Sequence, residues 1–136
     1  MKLDWDEYFM NIAYSVSLRS PDPKKQVGCV ITNSNNRIIS IGYNGLPSKI
    51  NENIDWNNRD FVKKVIIHAE CNALLYSECK NTYNNTLYTT YSPCSECLKM
   101  IKASNINKIF FKEKNKKFDE ILLIAEFLEI EMIEIN

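Results

Sequence analysis

The sequence predicts a three-layer α/β/α sandwich, an α/β fold built on a mixed five-stranded sheet. Three observations support this: a hairpin pattern follows an N-terminal amphipathic helix, strand and helix patterns then alternate, and no internal repeat or low-complexity linker interrupts them. A hairpin contributes antiparallel strands, whereas alternating strands and helices contribute parallel ones, so the sheet is expected to be mixed. The 136 residues are expected to form one domain, residues 1–136.

The first half of the chain is expected to contain a helix, a hairpin and a long loop. Asp4 is followed three residues later by a glutamate, as in a capping box, and apolar residues continue at helical spacing, which predicts a helix over about residues 4–18. Two apolar, β-branched runs, Val27–Thr32 and Arg37–Tyr43, flank an Asn-rich turn and predict the hairpin. Residues 44–60 are Asn-rich and aperiodic, so we expect a loop there.

The second half is expected to alternate helices and strands. Ser92-Pro93 supplies a good N-cap and a proline suited to the first helical position, so a helix is expected from there to about Ala103. The remaining elements are predicted from apolar periodicity and β-branched runs. They are helices at Ile67–Cys79 and Phe118–Leu128, and strands at Thr86–Thr90, Lys108–Phe111 and Glu129–Ile135.

Composition argues against several classes of protein. Lys and Arg together number 17, as do Asp and Glu, and the zero formal charge argues against a protein whose main task is to bind a nucleic-acid backbone. No segment approaches the roughly 18–20 consecutive apolar residues of a membrane helix, and the acidic N-terminus lacks the features of a signal peptide. We therefore expect a cytoplasmic protein with reduced cysteines and with neither a nucleic-acid nor a membrane partner.

The single histidine and a cysteine pair carry the strongest chemical signal. His68 lies two residues before Glu70 at a predicted helix start, and Cys94 and Cys97 follow a proline at another. Cys94 is expected in the first helical turn with Cys97 on the same face, so both sulfurs can reach one ion. One imidazole and two thiolates leave the fourth tetrahedral position of Zn²⁺ open for water, which is typical of a catalytic site, and Glu70 can move protons beside that water.

Other interpretations of the cysteines stay open. Cys71, three residues after His68, could close the metal shell as a fourth ligand, which would make the zinc structural. The C-x-x-C pair taken alone could be a redox pair or half of a structural site. Cys29, within an apolar strand, is expected to be a small core residue, and Cys79 is also expected to be structural.

The chain resembles the deoxycytidylate (dCMP) deaminases of the zinc-dependent cytidine and deoxycytidylate deaminase superfamily. The two zinc motifs point to the superfamily, and the segments Arg19–Gly28 (RSPDPKKQVG) and Gly42–Pro47 (GYNGLP) are similar to the dCMP branch. The resemblance implies a cytidine deaminase-like fold and hydrolysis of dCMP to dUMP and ammonia, which supplies dUMP for thymidylate synthesis. Activity on dCTP as well is left open.

The resemblance also implies roles for single residues. Glu70 would take a proton from the water that attacks C4 of cytosine and deliver protons to N3 and the leaving amine. Asn44 would hydrogen-bond the deoxyribose, and the backbone N–H of Ala69 would meet the ring carbonyl. The backbone carbonyl of Ser92 would accept from the exocyclic amine, and Tyr91 would pack on the base or the sugar.

The resemblance also implies which residues bind the 5′-phosphate and which bind a regulatory nucleotide. A 5′-phosphate needs cationic or N–H partners, and the matching segment offers four: Arg19, Lys24, Lys25 and Gln26. The loop of Gly42, Tyr43, Asn44 and Gly45 is expected to bind a regulatory nucleotide, dCTP as activator or dTTP as inhibitor, with Mg²⁺. A homo-oligomer, either a hexamer or a dimer, is expected as well.

Four other functions compete with dCMP deamination. A free-nucleoside cytidine deaminase would act on cytidine and not on dCMP, and a tRNA adenosine deaminase would need a basic surface. A riboflavin-pathway deaminase normally carries a reductase domain, for which 136 residues leave no room. A zinc-stabilised binding module, which is not an enzyme, predicts four protein ligands and unfolding when Glu70 is replaced.

Overall fold

A computed structural model describes residues 1–77 and 84–136. Over these residues the elements follow the predicted order, with one additional helix. They are α1 (Trp5–Ser17), β1 (Gly28–Thr32), β2 (Ile38–Tyr43), α2 (Arg59–Val65), α3 (Ala69–Leu75), β3 (Asn85–Tyr91), α4 (Ser95–Ala103), β4 (Ile106–Glu113), α5 (Phe118–Phe127) and β5 (Glu131–Glu134). Within the described residues, no helix is long and apolar enough to cross a membrane.

The five strands form one mixed sheet in the order β2-β1-β3-β4-β5. Strand β1 pairs antiparallel with β2 and with β3, whereas β3, β4 and β5 run parallel. Every residue of β1 is buried, and its side chains alternate between two cores. Cys29 and Ile31 belong to the core shared with α3, α4 and α5, and Val30 belongs to the core shared with α1. The predicted three-layer α/β/α sandwich is therefore confirmed, and Cys29 lies in the core as expected.

Helix α1 forms as predicted and packs unusually close to the sheet. The carboxylate of Asp4 accepts from the backbone N–H of Glu7 at 2.8 Å and caps the helix. A Cβ atom on Gly28 would lie 1.9 Å from the carbonyl oxygen of Ala13, so only glycine permits this approach of helix and strand.

Two helix starts differ from the prediction. Helix α4 begins at Ser95 with Cys94 as its N-cap, instead of at Ser92-Pro93. Ser92 is used elsewhere, since its N–H donates to the carbonyl of Glu113 at 2.8 Å and its hydroxyl accepts from the N–H of Asn115 at 2.7 Å. These contacts hold Ser92 in line with β3. The predicted helix Ile67–Cys79 begins at Ala69, and Cys79 lies outside the described residues.

Two further differences concern the loop 44–60 and the last strand. The end of that loop and the residues after it form α2, a seven-residue helix in which Val62 is the buried residue. So short a helix presents too few apolar residues to show a period. Glu129 was predicted to begin the last strand, but it lies in the turn that ends α5, with a φ of 59°. The N–H of the next residue, Ile130, donates to the carbonyl of Ala125 at 2.8 Å, which is a usual way for a helix to end.

Candidate active site

The candidate site lies at the edge of the sheet where β2, β3 and β4 end and β1 begins. Helices α3 and α4 start at this edge and pack against the same face of the sheet. His68 is the N-cap of α3 and Glu70 is in its first turn, while Cys94 is the N-cap of α4 and Cys97 is in its first turn. Crevices outside the carboxyl ends of strands are where α/β sheets usually bind ligands.

Three metal-ligating side chains converge here. Single donor atoms of His68, Cys94 and Cys97 all lie within 4.8 Å of one another. The Nδ1 atom of His68 is 3.3 Å from the sulfur of Cys97 and 3.5 Å from the sulfur of Cys94. One imidazole nitrogen and two sulfurs form a donor set that suits zinc.

Hydrogen bonds within this cluster shift the pKa values of its members in different directions. A hydrogen bond from Cys97 lowers the pKa of Cys94 to about 3, against the effect of burial. A hydrogen bond with Cys94 raises the pKa of His68 to about 9. Hydrogen bonds to Cys71 and to Cys94 raise the pKa of Cys97 above its usual range. Cys94 therefore carries thiolate character, the form of a cysteine that binds a metal.

Cys71, the alternative fourth ligand, contacts the cluster without joining it. Its sulfur is 3.6 Å from that of Cys97. Among the described residues, however, the donors that all lie within 4.8 Å of one another are those of His68, Cys94 and Cys97. The structure thus brings three ligands together, which is the arrangement that leaves a zinc coordination position open.

Glu70 is a buried carboxyl group beside this cluster. It is 3% exposed, and burial raises its pKa, although the charge of His68 opposes the rise. The hydroxyl of Thr89, on the middle strand β3, lies 3.2 Å from Oε1 of Glu70 and can donate to it. A buried carboxyl group with a raised pKa is suited to exchanging protons near neutral pH. Sequence reasoning missed Thr89, since nothing local relates it to Glu70.

A pocket of about 170 Å³, hereafter the substrate pocket, opens over these residues. Its lining includes eight residues predicted to bind metal or substrate or to catalyse: Lys25, Asn44, His68, Ala69, Glu70, Tyr91, Ser92 and Cys94. Cys97 lies beneath this lining, where it is 2% exposed. The structure therefore gathers at one place predicted residues that are as much as 72 positions apart in the sequence (Lys25 to Cys97).

Asn44 is held by the chain segment that leads into β1. Its Oδ1 accepts from the N–H of Val27 at 2.8 Å, and its Nδ2 donates to the carbonyl of Lys25 at 2.8 Å. An amide nitrogen carries two hydrogens, so Nδ2 retains one for a ligand in the pocket. Ser92 is buried too, and its N–H and hydroxyl are used by Glu113 and Asn115; the predicted contact uses its third polar group, the carbonyl.

The cations in the substrate pocket differ from most of those predicted to bind phosphate. Arg19, Lys24 and Gln26 do not line this pocket. Lys25 does, and its ammonium group lies 3.9 Å from the centre of the Tyr91 ring. Arg59 and Lys63, both on α2, complete the cationic lining. The position of Arg59 and Lys63 in the pocket was not predicted, because the helix that carries them, α2, was not predicted.

Arg59 is fixed by an ion pair with Asp22. Two parallel hydrogen bonds join the guanidinium to the carboxylate, at 3.0 and 2.8 Å, and a third donates to the carbonyl of Trp56 at 2.9 Å. Asp22 is 2% exposed. Burial raises the pKa of Asp22, but the hydrogen bonds and charge of Arg59, with backbone donors, outweigh it and hold the pKa below its usual value. The pair thereby ties α2 to the segment before β1.

Replacement of Arg59 by alanine is expected to lower the free energy of unfolding by roughly 1–3 kcal/mol, because Asp22 stays buried without its main partner. Since folding lowers the pKa of Asp22, the pair stabilises the protein above the unfolded pKa of about 3.9, and that stability is lost as the pH falls below it. Urea unfolding from pH 7 to pH 3 should show the difference between wild type and variant shrinking in acid. Lys64→Ala, exposed on the same helix, is the control; a difference independent of pH would contradict the assignment.

The loop predicted to bind a regulatory nucleotide lines a different cavity. Gly42, Tyr43 and Gly45 contribute to a surface pocket of about 170 Å³, whereas Asn44 faces the substrate pocket. A Cβ atom on Gly42 would lie 2.5 Å from the carbonyl oxygen of Ala69, so α3 rests directly on this glycine. Gly42 thus places the start of α3, and with it the candidate metal ligand, against the sheet.

The chain is similar in sequence to known deaminases. Residues 3–113 match the family described as cytidine and deoxycytidylate deaminase zinc-binding region. The chain is 37% identical over 125 residues to a deoxycytidylate deaminase of Homo sapiens, covering 87% of this chain and 70% of that protein. It is 38% identical over 109 residues to a probable deoxycytidylate deaminase of Caenorhabditis elegans, covering 77% of this chain. The chain thus spans about half, 55%, of the length of the Caenorhabditis elegans protein.

A solved structure agrees over the whole fold. The dCMP deaminase of cyanophage S-TIM5 in apo form superposes with a TM-score of 0.79 at 27% sequence identity. The superposition covers 99% of this chain and 100% of the cyanophage chain. The five-stranded sheet and its helices are therefore those of a known deaminase.

Proposed function

Because the chain belongs to the cytidine and deoxycytidylate deaminase zinc-binding family, we propose that it hydrolyses dCMP to dUMP and ammonia and so supplies dUMP for thymidylate synthesis. One observation carries the proposal: three zinc-type ligands lie within 4.8 Å of one another, and two of them, His68 and Cys94, line the same pocket as the buried carboxyl group of Glu70. We also propose that residues 1–136 act as a single deaminase domain.

Zinc is the proposed cofactor, held by His68, Cys94 and Cys97. When bound, it lowers the pKa of a coordinated water to about 7, which makes a nucleophile available at neutral pH. The three protein ligands leave a coordination position for that water, and Cys94 already has thiolate character.

Glu70 moves the protons of the reaction. It takes one from the attacking water and delivers it to N3 of the cytosine ring as the oxygen bonds to C4. It then passes the second proton of that oxygen to the exocyclic amine, the C4–N bond breaks, and ammonia leaves while C4 becomes a carbonyl. Burial keeps the Glu70 carboxyl group from being solvated, and the Thr89 hydroxyl within 3.2 Å orients it.

The other pocket residues orient the nucleotide. The N–H of Ala69, in the first turn of α3 where no carbonyl of that helix can reach it, donates to the ring carbonyl. The carbonyl of Ser92 accepts from the exocyclic amine, and the remaining N–H of Asn44 meets the deoxyribose. Tyr91 packs on the base or sugar. Lys25, Arg59 and Lys63 provide the cationic wall for the 5′-phosphate.

The charges in the pocket favour a nucleotide over the alternatives. Three cations line one small pocket, and they suit a phosphate group, which free cytidine lacks. A zero formal charge remains a poor match for tRNA. A zinc-stabilised binding module gives no reason to bury Glu70 beside the metal ligands. dCMP is therefore the proposed substrate.

An activity panel tests this choice. Zinc-loaded protein is incubated with dCMP, dCTP, cytidine and an adenosine-containing RNA hairpin, and ammonia release is measured. We expect dCMP to give the highest kcat/KM. Deamination of cytidine without dCMP would identify a nucleoside deaminase, and deamination of the hairpin alone would identify a tRNA enzyme.

We propose a homo-oligomer, a hexamer or a dimer, in the cytoplasm. The exposed apolar side chains of α5 support association, since Leu123 is 69% and Phe127 86% exposed. We further propose dCTP and dTTP with Mg²⁺ as effectors, supported by the cavity at Gly42, Tyr43 and Gly45. Adding each effector to the activity panel, with light scattering for the oligomeric state, tests both proposals.

A further inference from the structure

The substrate pocket is bordered by a second, larger cavity. This outer cavity has a volume of about 330 Å³ and lies between α1 and the ends of β3 and β4. Lys25 and Tyr91 line both cavities, and Glu113 lines the outer one. These three residues therefore form the boundary between the two spaces.

Lys25 and Glu113 form an ion pair at this boundary. The Nζ atom of Lys25 lies 2.5 Å from Oε2 of Glu113 and 3.9 Å from the centre of the Tyr91 ring. Both backbones are anchored, since the carbonyl of Lys25 accepts from Asn44 and the carbonyl of Glu113 accepts from Ser92. The side chains are 43% and 62% exposed, so water competes with the pair. Exposed ion pairs stabilise little, so this one can open at small cost.

The outer cavity has the chemistry of an anion site, apart from Glu113. Its lining adds to Lys25 a second cation, Lys112, and several polar side chains. The polar ones are Asn11, Tyr14, Gln26 and Thr90. Ammonium, amide and hydroxyl groups are the usual partners of phosphate oxygens. Glu113 adds a negative charge to the same lining.

We propose that the Lys25–Glu113 pair determines how many phosphate groups the enzyme accepts on its substrate. This rests on the proposed deamination of a deoxycytidine nucleotide. With the pair closed, Lys25 serves the α-phosphate inside the substrate pocket, and the Glu113 carboxylate repels any further phosphate from the outer cavity. Without the carboxylate, Lys25 and Lys112 attract a β- or γ-phosphate into that cavity. Glu113 thus acts against longer nucleotides and does not take part in the chemistry.

The test compares substrates within one variant. In Glu113→Gln, the ratio of kcat/KM for dCDP to that for dCMP is expected to rise about tenfold over wild type, because a negative charge that repels phosphate has been removed from the lining of the outer cavity. The same direction is expected for dCTP. The matched control is Glu134→Gln, which removes a carboxylate paired with Lys114 at 3.6 Å and lining neither cavity. Its ratio is expected to match wild type.

An unchanged ratio in Glu113→Gln, or an equal change in Glu134→Gln, would overturn the inference. If Glu113→Gln does not fold, Glu113→Ser gives the same comparison with a smaller polar residue. Calorimetric titration with orthophosphate and pyrophosphate separates this inference from the proposed function. Should wild type deaminate no deoxycytidine nucleotide, the proposed function fails, and the inference still predicts a gain in pyrophosphate over orthophosphate affinity in the variant. An unchanged preference would then overturn it.

Discussion

Replacing Glu70 by glutamine is expected to lower kcat for dCMP by about 10²–10⁴-fold while the protein keeps its zinc. Glutamine has nearly the same shape, and its amide oxygen can still accept from the hydroxyl of Thr89, so the packing around this buried position is preserved. It cannot take up the proton of the attacking water, however. Ammonia release measures the rate, and elemental analysis measures the zinc.

The control for this variant is Glu96→Gln. Glu96 lies on α4 between the two cysteine ligands, but its side chain is 81% exposed and pairs with Lys99. Its loss is expected to leave kcat unchanged. Full activity of Glu70→Gln would rule out the proton-transfer role. Unfolding of Glu70→Gln, together with no ammonia release by the wild type, would favour the binding-module interpretation.

Replacing His68 by alanine is expected to weaken zinc binding by more than about 100-fold and to abolish activity, because even residues that only orient a ligand cost 10–100-fold when removed. The chain contains one histidine, so no other imidazole can take its place. Zinc content after dialysis against a chelator of intermediate strength gives the measurement.

Cys71→Ser is the matched variant for the metal site. Cys71 is three residues from His68 and its sulfur lies 3.6 Å from that of Cys97, yet it is outside the converging group. It is expected to retain zinc and activity. Equal loss of zinc in Cys71→Ser would show that the site is closed by four protein ligands, and undiminished zinc in His68→Ala would show that the ligand set is wrong.

The convergence of the three candidate metal ligands could be predicted because each motif is local. His68 and Glu70 are separated by one residue and both lie at the start of α3. Cys94 and Cys97 both lie at the start of α4 and share one helix face. The exact starts of α3 and α4 were misjudged, α4 because Ser92 and Pro93 form the usual beginning of a helix. In the structure Ser92 bonds instead to the end of β4. A tertiary contact thus overrode a sound local signal.

The cations that line the substrate pocket could not be predicted in the same way. Residues 19–26 form an irregular segment in which the direction of each side chain depends on contacts from elsewhere. Asn44 fixes the backbone at Lys25 and Val27, and this turns Lys25 into the pocket while Arg19 and Lys24 stay outside its lining. No periodicity in this segment distinguishes one cation from its neighbours.

By itself the sequence determined the order of the strands and of every helix except α2, the family, and the residues proposed to hold zinc and move protons, because all of these depend on short-range spacing and on residue chemistry. Tertiary structure alone decided which charges meet. Asp22 pairs with Arg59 across 37 positions, and Lys25 pairs with Glu113 across 88. Such pairs form only where the sheet brings distant segments to one edge, so the walls of the pocket depend on the fold as a whole.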